Sequence, residues 1–124
     1  MLSFAYNNIN SRAVGLLVVD SDHTRGFQKD LEFVKVPGRT GDLIIDNKTF
    51  SNKVITTNCK IKYRYPVVEL VKTLENWLQS DSNYKKLEYS DEITVDAVCY
   101  EALEVIKIAE GFYSVGIKFN AKKV

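Results

Sequence analysis

Apolar positions along this chain recur mostly with a period of two, and once with a period near that of a helix. The clearest alternation covers residues 53–65. Ile55, Thr57, Cys59, Ile61 and Tyr63 fall on one side; Val54, Thr56, Asn58, Lys60, Lys62 and Arg64 fall on the other. Alternation of that length predicts a long strand with one face buried and the other facing water or a neighbouring subunit. Residues 112–121 alternate in the same way, with Tyr113, Val115, Ile117 and Phe119 against Ser114, Gly116 and Lys118. Residues 15–20 form a short continuous apolar run, as in a strand covered on both faces. Further strands are predicted near the N-terminus, ending at the turn signal Asn7-Asn8, and over 42–45, 85–89, 93–100 and 103–109. Glu110-Gly111 reads as the hairpin turn between the last two strands. Residues 46–52 read as a loop.

Residues 27–36 are extended but ambiguous. Leu31, Phe33 and Lys35 share one face, and Glu32, Val34 and Val36 share the other. The polar first half fits a projecting arm as an alternative to core. The helical period belongs to residues 66–80, where Val67, Leu70, Val71, Leu74, Trp77 and Leu78 form a stripe opposite Glu69, Lys72, Glu75 and Asn76. Pro66 suits the first helical position because its φ is already fixed. At about 1.5 Å per residue the helix spans roughly 20 Å, enough to lie across a sheet. Strands, one helix and more strands predict a mainly β fold, a β-sandwich or split barrel with one packed α-helix. With about eight strands some edges stay free, which invites pairing between chains.

Composition narrows the function. The 124 residues fit one domain, 1–124, long enough to bury a core without staples. The formal charge of +1 argues against a dedicated nucleic-acid binder. Cys59 and Cys99 lie in apolar strand-like runs and read as buried free thiols. The N-terminus lacks the apolar core of a signal peptide, and no run approaches the length of a membrane span.

Candidate chemistry is sparse. The segment Val36-Pro37-Gly38-Arg39-Thr40-Gly41 has two glycines but neither the spacing nor the lysine of a phosphate-binding loop, and a strand follows it. It reads as a β-turn, with Pro37 presetting φ at the first central position and Gly38 accepting positive φ at the second. Gly41 permits a second bend. Arg39 sits at the tip, either solvated or paired with a carboxylate on a neighbouring element or subunit. His23, the one histidine, has polar neighbours and reads as a solvated loop residue. Lone imidazoles and scattered acids give no metal site, no cofactor site and no catalytic set. Tyr63 and Tyr65 alternate with Lys60, Lys62 and Arg64. A shared groove for single-stranded nucleic acid is therefore not expected, since alternation places the two sets on opposite faces.

The order of these features resembles the N-terminal domain of siphophage distal tail proteins, a family related to phage tail-tube proteins. The resemblance rests on the turn residues Val36, Pro37, Gly38, Arg39 and Gly41, and on the strand opening Lys53, Val54, Ile55 and Thr56. It extends to the helix ending in Trp77-Leu78, and to the Asn-rich start followed by a Gly-Leu strand. The chain stops where many members begin a second domain, and Thr40 replaces the acidic or amide residue common there. The resemblance implies a tail-tube-like β-sandwich with a helix and a projecting arm, and a structural protein rather than an enzyme. It implies a homo-hexameric ring that joins the tail tube to tail-tip or baseplate proteins, with DNA only as transient cargo in the lumen. It places the protein in the virion, with assembly in the host cytoplasm and no membrane partner. Pro37, Gly38, Arg39 and Gly41 are then candidate interface residues. A small β-rich module binding carbohydrate or protein is the competing reading.

Overall fold

The computed structural model describes residues 2–123. In chain order the elements are β1 (Phe4–Tyr6), β2 (Ile9–Asn10), α1 (Ser11–Val14), β3 (Leu16–Ser21), β4 (Lys29–Val34), β5 (Leu43–Phe50), β6 (Lys53–Lys62), α2 (Val67–Leu78), β7 (Lys85–Tyr89), β8 (Thr94–Val98), β9 (Glu104–Ala109) and β10 (Phe112–Lys122). Eight strands form one antiparallel sheet in the order β2-β1-β7-β8-β10-β6-β3, with β9 also on β10; β4 and β5 pair only with each other.

β10 is the spine. One edge pairs with β6 from Phe112↔Lys62 to Ala121↔Lys53. Its other edge is divided: residues 112–116 pair with β9 and residues 120–122 with β8. The sheet therefore splits along β10 and curls over. β6 and β7 are separated in the sheet by two strands, β8 and β10, yet Thr57 Oγ1 and Tyr89 Oη lie 2.8 Å apart across the interior. Phe4 and Tyr6 of β1 reach Phe119 of β10, with ring centroids 5.7 and 5.2 Å apart. The result is a β-sandwich whose core includes Phe4, Tyr6, Ile55, Leu87, Tyr89, Val115, Ile117 and Phe119.

Helix α2 covers this core with Leu70, Leu74, Trp77 and Leu78. The Trp77 ring stacks on Phe4 at 5.7 Å, and its Nε1–H donates to the Tyr6 carbonyl at 3.0 Å. The alternation predicted for residues 53–65 is observed: Ile55, Thr57, Cys59 and Ile61 are buried. Both thiols are free and buried. The Asn7-Asn8 turn joins β1 to β2 with positive φ at both residues, the two-residue hairpin geometry that asparagine tolerates.

Several local expectations are corrected. Of residues 46–52, only Ser51 and Asn52 are a connection, because β5 continues through Phe50 and β6 starts at Lys53. The polarity of the rest reflects a strand exposed on both faces. The strand predicted over 53–65 ends at Lys62. Pro66 precedes the helix rather than opening it, and Val67 is exposed because the first turn stands clear of the core. A one-turn helix, α1, was not anticipated. The Asn10 side chain caps it by accepting from the Arg12 N–H, and Gly15 ends it at φ 91°.

A candidate assembly surface

The most distinctive surface is the arm, β4 with β5. Its register sets Leu31 opposite Asp46, Phe33 opposite Ile44 and Val34 opposite Leu43. Residues paired across an antiparallel ladder share a face. One face therefore presents Leu31, Phe33, Ile44 and Asp46; the other presents Val34, Leu43, Ile45 and Glu32. Phe33 is 62% exposed and Ile44 58%. Exposed apolar side chains on both faces of a two-stranded ribbon leave it little stability of its own in water. Clustered exposure of this kind marks an interaction surface.

The arm's tip is the Pro-Gly turn. The Arg39 N–H donates to the Val36 carbonyl at 3.2 Å, and Gly38 has φ +78°, so Pro37 and Gly38 occupy the two central turn positions as predicted. Gly41 follows at φ +82°. A Cβ at either glycine would meet nothing within 4 Å, so the backbone conformation, not crowding, calls for glycine here. Pro37, Arg39 and Gly41 share a shallow concavity of about 480 Å³ with Lys35, Val36 and Asp42. Farther down the arm, Lys48 has φ 60° and its N–H donates to Asp46 Oδ1 at 2.8 Å, a local turn that bends β5.

The arm's root is held by polar groups, of which Lys53 and His23 are buried against the sandwich and Asp22 and Arg25 are exposed. The Lys53 ammonium donates to the carbonyls of His23 and Arg25 and lies 4.5 Å from the Phe27 ring centroid. Desolvation, then the Arg25 charge, holds its pKa below the usual lysine range. Asp22 Oδ1 accepts from the Thr56 N–H, and Arg25 Nη2 donates to the Val54 carbonyl, both at 2.7 Å. His23 is not the solvated residue its neighbours suggest. It is 3% exposed, stacks on Tyr89 at 3.8 Å, and its Nε2 lies 2.7 Å from Asp91 Oδ2. Asp22 and Thr24 are polar because the loop is solvated around them, while the imidazole folds inward over the sheet. His23 thereby ties the arm's root to the β7–β8 turn.

A second feature lies at the far end of β6. Residues 62–65 and 110–112 line a cleft of about 330 Å³. The Tyr63 N–H donates to the Gly111 carbonyl at 2.8 Å, which fixes the cleft's floor. Tyr63 and Tyr65 meet edge to face, at 5.7 Å and 71°, and Lys62 Nζ stands 6.0 Å from the Phe112 ring centroid. The tyrosines thus share the cleft with Lys62 and Arg64, while Lys60 stays apart on the exposed face of β6. Alternation separates them only while the strand lasts, and β6 stops at Lys62. No sequence signal marks that stop short of Pro66.

Among the described residues, no group of three or more His, Cys, Asp or Glu side chains could hold a metal ion. No described helix is long and apolar enough to cross a membrane. Burial pushes the Cys59 thiol up to about 12 and raises Cys99 as well, so neither is a ready nucleophile.

No family model and no curated protein sequence matches the chain. A solved structure does: the Dit protein (gp 19.1) of SPP1, described as a paradigm of the hub adsorption apparatus in phages that infect Gram-positive bacteria. The match has a TM-score of 0.76 at 13% identity and covers 98% of this chain and 49% of that one. The chain thus spans about half the length of the protein it matches, and the two share a fold: a mostly antiparallel β-sandwich with helices packed on it.

Proposed function

We propose that this chain is a structural, non-enzymatic phage tail protein of the distal-tail kind, corresponding to that family's N-terminal domain. Copies assemble into a homo-hexameric ring hub joining the tail tube to tail-tip or baseplate proteins. The ring's lumen passes DNA without retaining it. The protein acts in the virion after assembling in the host cytoplasm. The observation that carries this reading is a free-standing apolar arm on a fold shared with a hub adsorption protein. An arm exposed on both faces becomes stable when another molecule covers it, and head-to-tail contacts of that sort close into rings. Pro37, Gly38, Arg39 and Gly41 hold the arm's tip at this interface.

The test is the oligomeric state. Wild-type protein is expected to give rings in negative-stain microscopy and a hexamer mass by light scattering. Phe33→Asp with Leu43→Asp, or removal of residues 37–41, is expected to give folded monomers, since these residues lie outside the core. Rings that persist in both variants refute the arm's role. A wild-type chain that stays monomeric at high concentration, also in the presence of its tail-tube protein, refutes the ring.

A further inference from the structure

We infer that the aromatic–basic cleft at the end of β6 is the seat for the arm of a second copy, an assignment that rests on the self-assembly reading above. The cleft offers exposed rings, Tyr65 and Phe112, beside two cations, Lys62 and Arg64. Among the described residues neither cation has a carboxylate partner, and the nearby acid, Glu110, is held by Lys107 at 2.9 Å. One face of the arm supplies the complement: Phe33 and Ile44 as apolar anchors, with Asp46 beside them and no cation paired to it. Aromatic side chains and arginine in a concave site are the usual anchors of protein interfaces. Two cations, an acid on the rim and edge-to-face rings make a poor track for a nucleic-acid backbone, which needs a basic groove and open stacking faces.

The geometry also decides between an intramolecular and an intermolecular seat. The arm leaves the body beside the start of β6, where the Ser51 N–H donates to the Gln28 carbonyl and Lys53 grips the preceding loop. The cleft begins at Lys62, the other end of the same ten-residue strand. At about 3.4 Å per residue the two lie roughly 30 Å apart, and the arm beyond Leu31 is exposed on both strands rather than folded along the body. Donor and acceptor surfaces are therefore different patches at opposite ends of one molecule, which is the heterologous arrangement that propagates head to tail.

Cysteine trapping tests this. Ile44→Cys, Tyr65→Cys and Leu17→Cys are made as separate variants and mixed pairwise under mild oxidation; the native thiols are buried. Leu17 lies on β3, the strand whose free edge is the rival acceptor. Ile44→Cys with Tyr65→Cys is expected to give a covalent dimer in about tenfold higher yield than Ile44→Cys with Leu17→Cys, as the docked pair's raised effective concentration requires. The double variant is expected to give a ladder of larger covalent species. Preferential trapping by Leu17→Cys, trapping only between two arms, or no trapping while wild-type protein forms rings overturns the seat and leaves arm-mediated assembly standing. No trapping from a chain that does not assemble overturns both.

Discussion

At the level of single residues, burial sets the chemistry of the core. Cys59 and Tyr89 are both pushed up to about 12 by loss of solvent. A raised acid pKa in the folded state means that the unfolded chain releases its protons first as pH rises. Stability is therefore full below about pH 8.5, the ordinary thiol range, and falls progressively above it. Urea midpoints measured from pH 7 to 11 are expected to decline across that window; a flat profile contradicts the assignment. Trp77 makes a second residue-scale case. Trp77→Phe keeps a ring against Phe4 but leaves the Tyr6 carbonyl without its donor. A loss of about 1–2 kcal/mol is expected in urea unfolding followed by circular dichroism. His23 shows the limit of reading residues by their neighbours. Two adjacent polar side chains suggested solvent, yet the imidazole stacks on Tyr89, sixty-six positions away along the chain, and meets Asp91 in the turn that follows it.

Elements behave as their periods dictate when a core covers one face. β6, β10 and α2 have such a face, and their buried positions follow the apolar stripes read from sequence, apart from the overhanging first turn of α2. The arm lacks one. Its strands carry apolar residues on both sides, so neither period nor polarity separates core from surface, and half of β5 reads as loop. Its amides bond only within the ribbon, which places it at the low-stability end of the molecule. Hydrogen exchange of dilute, monomeric protein is expected to show rapid exchange in residues 29–50 and slow exchange in β6 and β10. The same amides are expected to become protected in the assembled state. Strong protection of the arm in the monomer contradicts the proposal that a partner orders it.

For the whole molecule, charge and shape act together. The formal charge is +1, with acidic and basic side chains interspersed. Phosphate contacts would bring tight, salt-dependent binding, which the DNA passage proposed above has no use for. At physiological salt, micromolar protein is expected to leave the gel mobility of duplex DNA unchanged; a salt-sensitive shift would point to a DNA-binding function instead. The sandwich carries the arm's root at one end of β6 and the cleft at the other.

The sequence by itself determined the strand-rich class, the one long amphipathic helix, the Pro-Gly tip turn and the two buried thiols. Each is a local matter of period, fixed φ or side-chain polarity, and each can be read within a few residues. Only the tertiary structure decided that the sheet splits along β10, that Lys53 and His23 hold the arm's root, and that Tyr65, Arg64 and Phe112 share one cleft. Those features join residues far apart in the chain. Their partners are chosen by how the sheet closes on itself, a global condition that no local pattern encodes.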